Sequence, residues 1–328
     1  MRVCVIGAGS MGCLYGGLLA RAGFEVTLLD VWAEHVEAIR RDGLALDGIT
    51  GALSIRVAAT MEASAIAQCD VAIVLTDANA TGDAAAAART VLGDEGFAVT
   101  LQNGIGNVET LTAALGPGRV LGGLSYHSAA LRRPGQVTHT HAGPTWLGEL
   151  DGCRTSRLER LAAALAQAGF TPMIVDDIQG LIWSKFVHNC AINAIAAVAG
   201  LRVGEIVRSP GADHLQTRVV EEALAVVRAL GVTLPDPDPM RTIKEFCRTK
   251  FNKPSMLQHV EQGKRTEIHA LNGALVREGR RLGVPTPYNE ALVWLTEAVE
   301  QRMQQLVRDG PLDYERLEAE ATRDGTTA

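Results

Sequence analysis

The hexapeptide Gly7-Ala8-Gly9-Ser10-Met11-Gly12 constrains the fold of this chain more than any other feature, because of what flanks it. Residues 2–6 (Arg-Val-Cys-Val-Ile) are a short apolar run that predicts a buried strand. Residues 10–22 are mostly small or apolar and stop before Gly23, which predicts a helix closed by a glycine just past its end. Residues 25–30 (Glu-Val-Thr-Leu-Leu-Asp) read as a second strand. Strand, helix and strand at this spacing make a βαβ unit, which requires a parallel sheet. In that setting G-x-G-x-x-G has a physical meaning. Gly7 permits a tight turn, Gly9 lets the backbone approach a pyrophosphate at the positive end of a helix, and Gly12 lets helix and strand pack closely. Gly7, Gly9, Ser10, Met11 and Gly12 are therefore candidate dinucleotide-binding residues; a tight turn without a ligand is the plain alternative.

Asp30 closes the second strand. A carboxylate there accepts hydrogen bonds from both hydroxyls of an adenosine ribose and repels a 2′-phosphate. Val31, Trp32 and Ala33 supply no cation to hold one, and Arg40 and Arg41 lie too far along the next helix. This favours NAD(H) over NADP(H), against the alternative of a solvated strand-end Asp. Further on, Asp70–Leu75, Phe97–Leu101 and residues 119–124 predict strands; Asp83–Leu92 and residues 107–115 predict helices. Gln102-Asn103-Gly104 follows a strand at the sheet end where ligands bind, so Asn103 can reach a nicotinamide ribose or a substrate, although Asn-Gly is also a common turn pair. Residues 136–148 read as a hairpin through His139, His141 and the Gly143-Pro144 turn. A helix over Arg157–Ala168 and a last strand over Thr171–Val175 complete this half.

After about residue 176 strand signals vanish. Helical patterns run through 178–199, 212–230, 256–262, 266–282 and 288–306, with a Pro-rich loop from Gly231 to Pro239. The expected fold is an α/β Rossmann-type N-terminal domain (1–176) plus an all-α C-terminal domain (177–328), with the last dozen polar residues frayed. In 328 residues, 31 Lys plus Arg against 37 Asp plus Glu leave a net charge of −6, which argues against nucleic acid as the main partner. No uncharged apolar run reaches the roughly 18 residues of a membrane span, and the N-terminal apolar run reads as a strand, not a signal peptide. The 6 Cys are scattered without a C-x-x-C pair, which fits neither a disulfide framework nor a zinc site, and a cytoplasmic location is expected. His139 and His141 lack a companion carboxylate, so no metal site is expected.

The helix at 178–199 carries Lys185, Asn189 and Asn193 at i, i+4 and i+8, one gently rotating stripe surrounded by Leu, Ile, Phe, Val and Ala. Polar groups inside an apolar helix need partners. A buried amide pair with a snorkelling Lys would satisfy that. So would an active-site stripe on which a partly buried Lys, its pKa lowered toward neutrality, protonates a carbonyl that receives hydride. Later in the chain, Ser255 with Gln258 forms a capping-box pattern, and Glu267 suits a first helical turn.

Together Gly7-x-Gly9-x-x-Gly12, Gln102-Asn103-Gly104, Trp183-x-Lys185-x-x-x-Asn189-x-x-x-Asn193, and Ser255-Met-Leu-Gln with Thr266-Glu267-Ile268 resemble the ketopantoate reductase (2-dehydropantoate 2-reductase) family over nearly the whole chain. The resemblance implies a site in the cleft between the two domains and reduction of a 2-oxo acid by a nicotinamide cofactor. It implies Lys185 as general acid, and Glu267 holding a substrate hydroxyl or orienting Lys185. Asn103 would position nicotinamide and substrate; Asn189, Asn193 and Ser255 would bind the substrate's hydroxyl and carboxylate ends.

The chain departs from the family pattern at Asp30-Val31, where many relatives carry an Arg for the NADP 2′-phosphate, and at Asp77, where a Lys is usual. Val203, His259 and His269 replace residues on the substrate side, so a relative of ketopantoate is as compatible as ketopantoate itself. Two other readings stand beside this one. The first is an NAD-dependent 3-hydroxyacid dehydrogenase, which the Ser255 and Glu267 segment does not suit. The second is a dinucleotide-binding sensor without turnover. A homodimer is compatible with the sequence under every one of these readings.

Overall fold

In the computed structural model, residues 1–323 are described. The chain divides into two compact units, one built from 1–189 and 224–239, the other from 190–223 and from 240 onward. The first unit opens with β1 (Arg2–Ile6), α1 (Ser10–Arg21), β2 (Glu25–Leu29), α2 (Ala33–Asp42), β3 (Leu44–Gly48), β4 (Leu53–Ile55) and β5 (Ala58–Thr60). It continues with β6 (Cys69–Val74), α3 (Thr81–Val91), β7 (Leu92–Thr100), α4 (Asn107–Leu115), β8 (Val120–Ser125), β9 (Ser128–Arg133), β10 (Gln136–His141), β11 (Pro144–Glu149), α5 (Ser156–Gln167) and β12 (Thr171–Ile174). Helix α6 (Ile178–Ala199) runs from this unit into the second.

The main sheet has eight strands in the order β12-β11-β8-β7-β6-β1-β2-β5. All neighbours are parallel except β8 and β11. Both faces are covered, so the strands read as continuous apolar runs. Val3 and Val5 of β1 enter one core cluster and Cys4 and Ile6 the other. Strand order reverses at β1, with β2 on one side and β6 on the other. Such a reversal opens a crevice at the carboxyl ends of the two central strands. There the Gly7 N–H donates to the Leu29 carbonyl (2.8 Å) and the Leu75 N–H to the Ile6 carbonyl (2.8 Å), so the loops after β1 and β6 leave side by side.

A second sheet, β4-β3-β10-β9, lies outside the sequence expectation. It explains why α1 is buried from Gly12 to Leu19. A Cβ on Gly16 would come 2.4 Å from Leu28 of the main sheet, and one on Gly17 would come 2.8 Å from Leu44 of the second. Helix α1 is thus enclosed by sheets on two sides, and small residues allow both approaches. The hairpin expected over 136–148 is corrected accordingly. β10 pairs with β9 and β3, whereas β11 crosses to the main sheet between β8 and β12. Gly143-Pro144 is where the chain changes sheets, not where one hairpin turns.

The second unit is helical: α7 (Val203–Ile206), α8 (Pro210–Leu230, which returns to the first unit), α9 (Pro239–Thr249), α10 (Ser255–Glu261), α11 (Asn272–Leu282), α12 (Pro287–Asp309) and α13 (Tyr314–Arg323). Three expectations change here. The helix expected from 266 begins at Asn272, with a bend at Glu267 and turns over 268–271 before it. Pro239 opens α9 instead of only closing a loop, a position where its missing N–H costs nothing. The polar end is helical through Arg323, and residues 324–328 lie outside the described residues. Among the described residues α6 is long and apolar enough to cross a membrane, with 61% of its most apolar window buried inside the protein, as in a core helix.

Candidate active site

The glycine loop has the geometry that a pyrophosphate turn needs. Gly7 sits at φ +92°, and a Cβ there would come 2.5 Å from the Thr76 nitrogen on the loop after β6. A Cβ on Gly12 would come 1.8 Å from the Gly7 carbonyl oxygen. Gly9 is different: it is the N-cap of α1, no side chain caps it, and a Cβ there would meet no heavy atom within 4 Å. The start of α1, with the N–H groups of Ser10 and Met11, therefore faces open space over a bare backbone, the cradle that the phosphates of a dinucleotide require.

Asp30 follows β2 and is half-buried. Its N–H donates to the Thr60 carbonyl (3.1 Å), and its Oδ1 accepts the Trp32 N–H (2.9 Å). The neighbouring Val31 is 93% exposed, and neither it nor Trp32 carries a positive charge.

Gln102 is a clamp, a role its sequence context does not reveal. Its Nε2 donates to the Thr76 carbonyl (3.1 Å), the Thr76 hydroxyl (3.0 Å) and the Thr81 hydroxyl (3.1 Å), and its Oε1 accepts from the Thr100 hydroxyl (3.0 Å). These bonds tie the ends of β6 and β7 together behind the loop that touches Gly7. Asn107 Nδ2 donates to the Asn103 carbonyl (2.9 Å), fixing the backbone from which the Asn103 side chain leaves.

Lys185 is placed by glycines in the sheet. Gly122 of β8 and Gly148 of β11 face Ile178, where Cβ atoms would come within 3.0 Å and 2.8 Å of its side chain, so α6 lies directly on the strands. One consequence is that Lys185 Nζ donates to the Ser125 carbonyl at the end of β8 (2.8 Å) and sits 5.6 Å from the centroid of the Tyr126 ring. Burial and the Lys185 charge together push His188 down to about 4, so it stays neutral beside the ammonium. Asn103, Gly104, Trp183, Lys185 and Asn189 line one cleft, together with Thr100 and Gln102.

The other candidates belong to the second unit. Asn193 is 7% exposed, and its Oδ1 accepts from the Ser255 hydroxyl (3.3 Å) and the Met256 N–H (3.4 Å). Ser255 is thus the first residue of α10 and bonds Asn193; the capping box expected with Gln258 does not form, and Gln258 Nε2 instead donates to the Lys253 carbonyl (2.8 Å). Glu267 lies in the turn before α11, not in a first helical turn; its carbonyl accepts the N–H groups of Ala270 (2.9 Å) and Leu271 (3.0 Å). His269 faces Glu297 (3.2 Å). Val203 is buried, and its N–H donates to the Asn252 carbonyl (3.3 Å).

His139 is buried with its Nε2 3.0 Å from His127 Nδ1. Among the described residues no group of three or more His, Cys, Asp or Glu is placed to hold a metal ion. Sequence reading missed Ser125, the carbonyl anchor of Lys185, and the clamp role of Gln102. Gly122-Gly123 inside a strand was the available signal for the first, since strand glycines mark close backbone approach.

The parallel sheet, the bare glycine turn at its reversal point and a lysine-bearing cleft define a Rossmann-type, nicotinamide-dependent oxidoreductase acting on a CH–OH or keto group. Comparison with known proteins agrees and goes further. Residues 3–152 match the family described as "Ketopantoate reductase PanE/ApbA", and residues 177–300 match its C-terminal counterpart. The 2-dehydropantoate 2-reductase of Archaeoglobus fulgidus is 34% identical over 91% of this chain and 98% of its own. A PanE/ApbA family ketopantoate reductase from Ralstonia eutropha has a TM-score of 0.86 at 36% identity, covering 93% of this chain and 100% of its own. D-mandelate dehydrogenase, solved with NADH and anilino(oxo)acetate, has a TM-score of 0.85 at 26% identity, covering 92% of this chain and 99% of its own. The chain belongs to the ketopantoate reductase family. These relatives support 2-oxo-acid reduction over the 3-hydroxyacid dehydrogenase reading.

Proposed function

We propose that this chain reduces a small 2-oxo acid to the 2-hydroxy acid with NADH, residues 1–176 holding the dinucleotide and 177–328 supplying most of the substrate and proton-transfer groups. The observation that carries the reading is Lys185, held by the Ser125 carbonyl in a cleft that also contains Asn103 and Asn189. When bound, the reduced nicotinamide supplies hydride to the carbonyl carbon. The N–H groups of Ser10 and Met11 receive the pyrophosphate over Gly9, and Asp30 accepts the ribose hydroxyls. Lys185 stabilises negative charge developing on the carbonyl oxygen and donates the proton to it. Asn103 orients the carbonyl. Asn189, Asn193 and Ser255 bind the carboxylate and hydroxyl ends of the substrate, and Glu267 holds a substrate hydroxyl.

A second reading concerns the substrate alone. Asp30 and the NADH-bound D-mandelate dehydrogenase neighbour favour an NADH-linked 2-oxo acid other than ketopantoate. The test is a panel of 2-oxo and 2-hydroxy acids, ketopantoate included, with both dinucleotides, run on the wild type and on Lys185→Ala. The variant is expected to lose kcat by roughly 10²–10⁴ on the best substrate. Retention of most turnover would remove Lys185 from the reaction.

A further inference from the structure

Beneath the glycine loop lies a histidine that no step above uses. His35, in the first turn of α2, is 1% exposed. Its Nε2 is 2.9 Å from the Ala8 carbonyl oxygen and 3.3 Å from Cys13 Sγ, and its Nδ1 is 3.0 Å from the Gly135 backbone nitrogen. A backbone N–H can only donate, so Nδ1 is the lone-pair nitrogen and Nε2 carries the hydrogen. Burial holds the ring's pKa below the usual imidazole range, consistent with that neutral form. The Ala8 carbonyl therefore accepts twice, from His35 Nε2–H and from the Cys13 thiol (3.0 Å).

Ala8 is the residue between the two glycines of the turn. Its carbonyl would repel a pyrophosphate if it pointed outward; tied inward by two donors, it leaves the outward side of the turn to N–H groups. The same imidazole supports the ribose side. Trp32 stacks on it (centroids 5.2 Å apart, planes 10° apart), and the Trp32 N–H donates to Asp30 Oδ1 (2.9 Å). Gly135, in the turn between β9 and β10, holds the ring from the second sheet. One buried side chain thus braces both places where the adenosine half of a dinucleotide would be gripped.

We propose that His35 is a positioning residue for the cofactor: through Ala8 it sets the pyrophosphate turn, and through Trp32 it sets the Asp30 carboxylate. The proposal rests on the reading that this loop binds the dinucleotide. It predicts a loss confined to cofactor affinity, with proton transfer at Lys185 untouched.

The experiment compares wild type, His35→Leu, His35→Gln and Trp32→Ala by NADH fluorescence titration, by kcat and both KM values on the best 2-oxo acid, and by thermal unfolding. For His35→Leu, Kd and KM for NADH are expected to rise roughly tenfold or more, the energy of about one buried polar contact. Its kcat at saturating NADH and its KM for the 2-oxo acid should stay within about twofold, the pattern of lost cofactor binding alone. His35→Gln should recover most of the affinity, because an amide can accept from Gly135 and donate to Ala8. Trp32→Ala, which leaves the buried bonds in place, should raise Kd for NADH several-fold even if His35→Leu fails to fold. Unchanged Kd in both Trp32→Ala and the soluble His35 variants would overturn the proposal, as would a fall in thermal stability without a change in affinity. Failure of the wild type to bind either dinucleotide would overturn the loop reading itself, and this proposal with it.

Discussion

A methyl group placed on Gly9 should leave the fold intact and spoil the dinucleotide site. Gly9 sits at φ −62° and ψ −165°, a conformation open to any residue, and the added Cβ meets no protein atom within 4 Å. Two stability terms oppose each other. Gly→Ala restricts the unfolded chain, worth about 0.4–1 kcal/mol, while Ala is the poorer N-cap, by an amount on the order of 0.5–1 kcal/mol. The net change is within about 0.5 kcal/mol, or roughly 1 °C in Tm.

Binding has no such compensation. On the proposed function the methyl would occupy the side from which the pyrophosphate reaches the turn, and a loss of about 1.4 kcal/mol already means a tenfold weaker Kd. Gly12→Ala is the contrasting control, because its Cβ would lie 1.8 Å from a backbone carbonyl oxygen. Overpacking of that kind costs about 1–3 kcal/mol or more, equivalent to a Tm lower by roughly 2–6 °C. The assay is NADH titration beside scanning calorimetry on all three proteins. A Gly9→Ala protein that binds NADH as the parent does would place the pyrophosphate elsewhere. One that loses as much Tm as Gly12→Ala would mean that the space over Gly9 is filled.

Three further outcomes follow from the same geometry. Wild type should prefer NADH, and Asp30→Ala should narrow the ratio of kcat/KM for NADH over NADPH by about tenfold, since a carboxylate beside a 2′-phosphate is a like-charge contact; a parent protein that prefers NADPH several-fold would refute the role of Asp30. Burial and neighbouring imidazoles hold His127 down to about 4, and burial with the Lys185 charge does the same to His188; His35 and His139 are also lowered by burial. Unfolded imidazoles titrate near 6.5, so between about pH 6.5 and 4 the unfolded chain binds more protons, and stability present above 6.5 is lost as pH falls toward 4. Tm should decline over that window, less steeply in His127→Asn, and a Tm that stays flat from pH 7 to 5 would contradict the assignment. Gln102→Leu strips the donor from Thr76 and Thr81 and should cost about 1–3 kcal/mol in urea unfolding; a cost below about 0.5 kcal/mol would show that the clamp is dispensable.

The reach of local rules explains which of these features were legible beforehand. The first βαβ unit is readable to within a residue because strand, turn and helix are each decided by neighbours in sequence, and Gly7 and Gly12 make the turn and the close packing that their order implies. Lys185 and Asn189 were placed on one face by helical period alone, and the cleft contains both. The hairpin expected over 136–148 does not form because alternation says that a strand exists, not which sheet it joins; β10 and β11 part company at Gly143-Pro144 to join interior positions of different sheets. Ser255 and Gln258 matched a capping pattern, yet Asn193, far away in the chain, took the hydroxyl.

Sequence alone determined the glycine turn, the alternation that requires a parallel sheet and the helical stripe bearing the lysine. Each is a matter of spacing within a few residues, where backbone sterics and helical period leave little choice. Tertiary structure decided that the Ser125 carbonyl holds that lysine, that Gln102 locks two strand ends, and that His35 supports the glycine turn from below. Those pairings join residues tens of positions apart, and they arise because polar groups buried by packing must find partners among whatever the packed faces bring near, which no local pattern records.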